Sequence, residues 1–139
     1  MCSGVKYSES SGKDWKVYFP NPKAALPVAK NDGSVEWVKW GRRKEEQGPF
    51  VQGGWARSAS IELGKWERYS PVFVKLAAHS FMEKDAAKVS HWIDIPQEQA
   101  IEALIVEFDE DKRIYVVTED TPPEFTWVHD RWPRLVKMM

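Results

Sequence analysis

Apolar and polar positions along this chain alternate over short stretches, and turn residues interrupt them at close intervals. Trp15-Lys16-Val17-Tyr18-Phe19 reads as a short strand after a mobile polar loop over Ser8 to Lys13. Pro20, Pro22 and Pro27 then keep the backbone extended. Asn31-Asp32-Gly33, between Ala25 to Ala29 and Val35 to Trp40, predicts a hairpin. Arg42 to Gly54, rich in charge and glycine, reads as an exposed loop. Trp55 to Leu63, Val72 to Met82 and Val89 to Ile93 read as strands, whereas Gly64 to Tyr69 carries no clear pattern. A helix is expected from Asp94-Ile95-Pro96-Gln97-Glu98, with Ala100, Ile101 and Leu104 on its apolar face. Leu104 to Phe108 and Arg113 to Val117 flank Asp109 to Lys112 as a second hairpin. Thr121-Pro122-Pro123-Glu124 has the form of a capping box opening a short helix that ends near His129. Pro133 forbids its continuation, and Arg134 to Val136 is a last strand. The sum predicts one domain over residues 1–139. Its class would be α+β, with short antiparallel strands in a barrel-like or bifurcated sheet and a few short helices.

Composition narrows the function. Twenty basic residues against 21 acidic ones leave a formal charge of −1, which does not suggest bulk attraction to nucleic acid, so any phosphate contact would have to come from a local cluster. No apolar run approaches the roughly 18 residues of a membrane span. The segment Met1 to Asp14 is polar and lacks the apolar centre of a secretory signal. A cytoplasmic monomer is therefore expected, with no membrane partner. The one cysteine forms no internal disulfide. Eight tryptophans supply either an aromatic core or surfaces on which bases stack. His79 and His91 have no metal-ligand spacing to each other or to Cys2, so no metal and no cofactor is expected.

The chemistry concentrates in three places. Cys2 directly follows Met1, and an initiator Met before a small residue is normally removed. The new terminus would carry an α-amine near pKa about 8 and a thiol near about 8.5 on one residue. Such an aminothiol condenses with an aldehyde to an imine, which the thiolate closes to a thiazolidine ring. His129-Asp130-Arg131-Trp132-Pro133 sets an acid/base beside a guanidinium suited to phosphate. Glu83, at the end of Ser80-Phe81-Met82-Glu83, is a carboxylate at a strand end and a candidate proton shuttle. Ala56-Arg57-Ser58 offers a further arginine. Each also has a plainer reading: a cysteine on a loose terminus, a surface histidine, a solvated glutamate.

In order along the chain, these pieces resemble the SOS-response-associated peptidase family, whose members form DNA–protein crosslinks at abasic sites. Met1-Cys2 resembles the family's Met-Cys start. Pro22 to Val28 resembles its Pro-Thr-x-x-Pro-Val segment, and Trp40-Gly41 its Trp-Gly. Ala56-Arg57 resembles the Ala-Arg of Asn-Ala-Arg-x-Glu-Thr, and Phe81-Met82-Glu83 the Gly-Phe-Tyr-Glu-Trp element. Tyr115 to Thr118 resembles the strand ending Ile-Leu-Thr, and His129 to Pro133 is similar to His-Asp-Arg-Met-Pro. The resemblance implies an enzyme, a lyase or a cysteine-peptidase-like hydrolase acting in the DNA-damage response. Its partner would be single-stranded DNA containing abasic sites. Cys2 would be the nucleophile that links to the sugar aldehyde. Glu83 would assist proton transfer and release of the preceding Met. His129 would act as acid/base in ring opening and crosslink resolution. Arg57 and Arg131 would hold phosphates, with Arg42, Arg43, Trp40 and Trp55 lining the DNA groove.

The chain departs from the family pattern at named positions. Trp55 stands where the family has Asn, a residue that orients the sugar or the cysteine backbone, and Ala59 where it has Glu. Lys84 stands for the Trp after the catalytic Glu, and Cys2-Ser3-Gly4 lacks the Arg of Cys-Gly-Arg. Two rival functions follow: a DNA- or protein-binding module that kept the fold without the chemistry, and a hydrolase using Cys2 with His129 and Glu83.

Overall fold

The computed structural model describes residues 2–138. Its strands are β1 (Gly4–Ser8), β2 (Asp14–Tyr18), β3 (Ala25–Ala29), β4 (Val35–Lys39), β5 (Trp55–Arg57) and β6 (Val72–Lys75). After them come β7 (Ser80–Lys84), β8 (Ser90–Asp94), β9 (Gln99–Phe108), β10 (Asp111–Asp120), β11 (Arg131–Pro133) and β12 (Leu135–Lys137). The only α-helix among the described residues is α1 (Ser58–Glu62), and single 3-10 turns occupy Glu67–Tyr69 and Pro123–Phe125. The expected α+β class with several helices is therefore corrected to a predominantly β fold. The barrel-like closure is corrected too, since the sheets stay open.

An antiparallel sheet runs β2-β1-β7-β8. A second runs β11-β10-β9-β12, with β5 parallel to β10 and β6 antiparallel to β9. The hairpin β3-β4 joins it through bridges Val28 to Leu76 and Trp40 to Ile114. The β9-β10 hairpin closes on Asp109 and Glu110, with φ of 48° and 69°, the two left-handed residues a tight hairpin turn requires.

The helix expected after Asp94 is β9 instead. Glu98 has φ 68°, which no right-handed helix accommodates, and Ile95 N–H donates to the His79 carbonyl. Ala100, Ile101, Ala103, Leu104 and Val106 are all buried because both faces of β9 are covered. A two-faced strand yields an apolar run that imitates one face of a helix. One cover holds Val5, Leu26, Trp40, Phe81, Ile114 and Trp132. Leu104 and its β10 partner Tyr115 face the other way, onto Phe50, Trp66 and Tyr69. The helix expected at Thr121 shrinks to a 3-10 turn with no side-chain cap. Trp55 to Leu63 divides between β5 and α1. Gly41 turns at φ 57° with its Cα pressed against Gly53; an added Cβ would lie 2.1 Å from the Gly53 oxygen, so only glycine follows Trp40 there.

Candidate active site around Cys2

Pairing on both sides fixes the N-terminal segment. β1 is central in its sheet, and Ser3 just before it donates N–H to the Met82 carbonyl at 3.0 Å and accepts from Phe19 N–H at 3.0 Å. Cys2 is thereby held in the core with no exposed surface, which removes the plainer reading of a loose terminus. Its thiol donates to the Gly4 carbonyl at 3.4 Å. The Trp55 indole Nε1–H donates to the Cys2 carbonyl at 2.5 Å. Trp55 is itself wedged against Phe19, with ring centroids 4.8 Å apart, and edge-on to Trp40 at 6.3 Å. Trp55 thus holds the cysteine backbone.

Strand alternation places the carboxylate. Val5 pairs with Phe81, and both face the core, so Glu83, two residues on, faces inward as well. Glu83 has no exposed surface. Burial raises its pKa from 4.5 to about 7, so near neutral pH the group can both give and take a proton. Burial also pushes the Cys2 thiol far above its usual range, and the nearby Glu83 charge adds to the effect. The resting residue is a thiol, and its activation needs a proton acceptor close by.

A pocket of about 600 Å³ opens beside this pair. Ser3, Trp55, Lys84 and the turn Thr126 to Asp130 line it; Cys2 and Glu83, the chain neighbours of two wall residues, are themselves buried. His129 belongs to the wall. Its Nδ1 accepts the Arg131 backbone N–H at 3.1 Å, which leaves the proton of the neutral ring on Nε2. Asp130 Oδ1 lies 3.1 Å from the same nitrogen and can receive a proton from it only in the imidazolium form. Burial lowers the His129 pKa, favouring the neutral ring. Asp85 also lines the pocket. Its Oδ1 accepts N–H from Ala87 and Val89, and its Oδ2 meets His91 Nε2 at 2.8 Å.

The arginines divide. Arg57 is exposed at the end of β5, opposite Thr118. Arg131 bonds Thr118 Oγ1 at 3.2 Å and Asp120 Oδ1 at 2.9 Å, so the two flank one residue of β10. Arg42 and Arg43 do not belong with them. Arg42 is spent on the Phe50 and Glu46 carbonyls. Arg43 is buried on the Trp40 and Phe19 carbonyls, its guanidinium 4.2 Å from the Phe19 ring centre. Trp40 is fully buried and donates to the Gly54 carbonyl at 2.9 Å, so it offers no face to a base. These three expected groove residues are structural. Lys84, noted in the sequence only as a departure from the family pattern, and Trp127, which carried no sequence signal, are on the pocket wall; Trp127 is 63% exposed and makes an edge-on contact with His91.

Among the described residues no group of His, Cys, Asp or Glu is arranged to hold a metal ion, and no helix is long and apolar enough to cross a membrane. Comparison with models of known protein families finds no match, and comparison with curated proteins finds none.

Proposed function

We propose that the protein binds single-stranded DNA and, once Met1 is released, captures the aldehyde of an abasic site on Cys2. Met1 lies outside the described residues. The observation that carries the reading is the clamped Cys2 backbone, held by Trp55, beside a buried Glu83 whose pKa is near 7. The freed α-amine adds to the aldehyde carbon, and the carbinolamine loses water to give an imine. The sulfur then adds to the imine carbon, and the proton leaving sulfur ends on nitrogen. The balance is aldehyde plus aminothiol giving thiazolidine plus one water. Glu83 delivers the proton that expels water and accepts the one the thiol releases, which its pKa suits it to do. His129 supplies the proton movements that open the sugar ring, and Arg57 and Arg131 contact phosphates on the β10 side.

The test uses Met-free protein and a single-stranded oligonucleotide with one abasic site. A heat-stable shifted band in a denaturing gel is expected, and Cys2→Ala should abolish it. A wild-type protein that forms no such band, or a band that survives Cys2→Ala, sinks the reading.

A further inference from the structure

The outer face of the β2-β1-β7-β8 sheet carries a pattern that stability alone does not call for. Register and alternation put Lys6, Lys16, Lys84, Tyr18 and Trp92 on it, around Gly4. Lys6 lies directly opposite Lys16, and a like-charge pair facing across two strands is destabilising. Among the described residues none of these three lysines has a carboxylate within ion-pair distance. The acids on the face, Asp14 and Asp94, sit on its outer strands, and Asp14 accepts the Ser8 hydroxyl at 2.6 Å.

Between the lysines the surface is aromatic. Tyr18 is 40% exposed and meets Trp92 edge-on at 6.1 Å across the sheet. Gly4 and the buried Met82 lie between them in the register, and Gly4 leaves room for the rings to meet; a Cβ there would lie 3.3 Å from the Tyr18 ring. The Lys6 ammonium stands 4.2 Å from the Trp92 ring centre. Lys84 lies at the pocket end of this face and also lines the pocket itself.

From this we infer that the outer face is a track for single-stranded DNA, running from the pocket past Lys84, over Trp92 and Tyr18, to Lys6 and Lys16. The inference rests on the reading above for the ligand, but its residues are distinct from Cys2, Glu83 and His129. Unpaired bases stack on aromatic faces regardless of sequence, and the lysines meet phosphates at each end. A polyanion at this face also relieves the Lys6–Lys16 repulsion.

The experiment uses the full chain and a fluorescent 20-nucleotide oligothymidylate with no abasic site, followed by anisotropy at several NaCl concentrations. With about 0.7 of slope per phosphate on single strands, three lysines give a log–log slope of about −2. Combining Lys6→Gln with Lys16→Gln should flatten it by about 1.4. Trp92→Ala should weaken binding roughly tenfold at fixed salt, with Trp92→Phe restoring most of it. Circular dichroism and thermal melting of each variant separate lost binding from lost fold, and Lys16→Gln alters only an exposed side chain. Absence of salt-dependent binding overturns the inference. So does wild-type affinity in the folded lysine and Trp92 variants, or polyglutamate binding as tight as oligothymidylate. An intact oligonucleotide has no aldehyde. Binding without crosslinking of an abasic strand therefore sinks only the Cys2 chemistry, and crosslinking that ignores these substitutions sinks only the track.

Discussion

Replacing Glu83 by Gln isolates the buried carboxyl at almost constant shape. Folding lifts its pKa from 4.5 to about 7 through burial. The native state therefore holds this proton more tightly than the unfolded chain. The associated stability is complete below about pH 4.5 and is lost as pH rises through about 7. At about 1.4 kcal/mol for each tenfold change, the difference of about 2.5 corresponds to about 3 kcal/mol carried against folding at alkaline pH. Glutamine does not titrate, so the variant escapes this loss. It adds a pH-independent offset of about 1–3 kcal/mol where the new amide lacks partners, and the change with pH is what carries information. Urea unfolding from about pH 4.5 to about pH 8.5 should show the variant gaining on wild type by about 3 kcal/mol. With a denaturant slope of about 1–3 kcal/mol per molar, the midpoints should move relative to each other by roughly 1–3 M. A difference constant across this range, or one that grows toward acid, refutes the placement of the carboxyl in a desolvated site. In the crosslinking assay the same variant should be slower by about 10²–10⁴, the usual worth of a positioned proton shuttle.

Trp55→Phe keeps the ring packed against Phe19 and removes the N–H given to the Cys2 carbonyl. Thermal melting should change little, while crosslinking slows by about tenfold to a hundredfold because the nucleophile is less well aligned. Arg43→Met leaves the Phe19 and Trp40 carbonyls without their buried donor. Urea unfolding should show a loss of about 2–4 kcal/mol, with oligonucleotide affinity of the folded fraction unchanged.

Elements whose signal is local were legible in the sequence. Both expected hairpins formed, because Asn31-Asp32-Gly33 and Asp109-Glu110 concentrate turn-compatible residues between apolar runs. Elements that depend on distant partners were not. Gly4-Val5-Lys6-Tyr7-Ser8 has little strand pattern of its own and owes β1 to pairing with β2 and β7. The apolar residues of 100–104 fit a helix until layers on both sides of β9 show that each position is covered. The site followed the same division. Cys2, Glu83 and His129 were candidates by residue type and order alone. The inward direction of Glu83 needed the Val5–Phe81 register, and the place of Lys84 and Trp127 on one pocket wall needed the fold that brings the Asp85 turn beside the Thr126–Asp130 turn.

Trp55 can serve one of the two tasks that a side-chain amide at its position would serve. A side-chain amide both donates and accepts, whereas an indole only donates. Here the single indole donor is committed to the Cys2 carbonyl, and Phe19 and Trp40 fix the ring that carries it. Backbone alignment of the cysteine is therefore served, but Trp55 has no acceptor left for a sugar hydroxyl. A substrate at this pocket would take such contacts from polar groups on its wall, among them the Lys84 ammonium and the Nε2 side of His129. Under the proposed function, substrate contacts would accordingly come from Lys84 and the Thr126–Asp130 turn, with Trp55 confined to holding the Cys2 backbone.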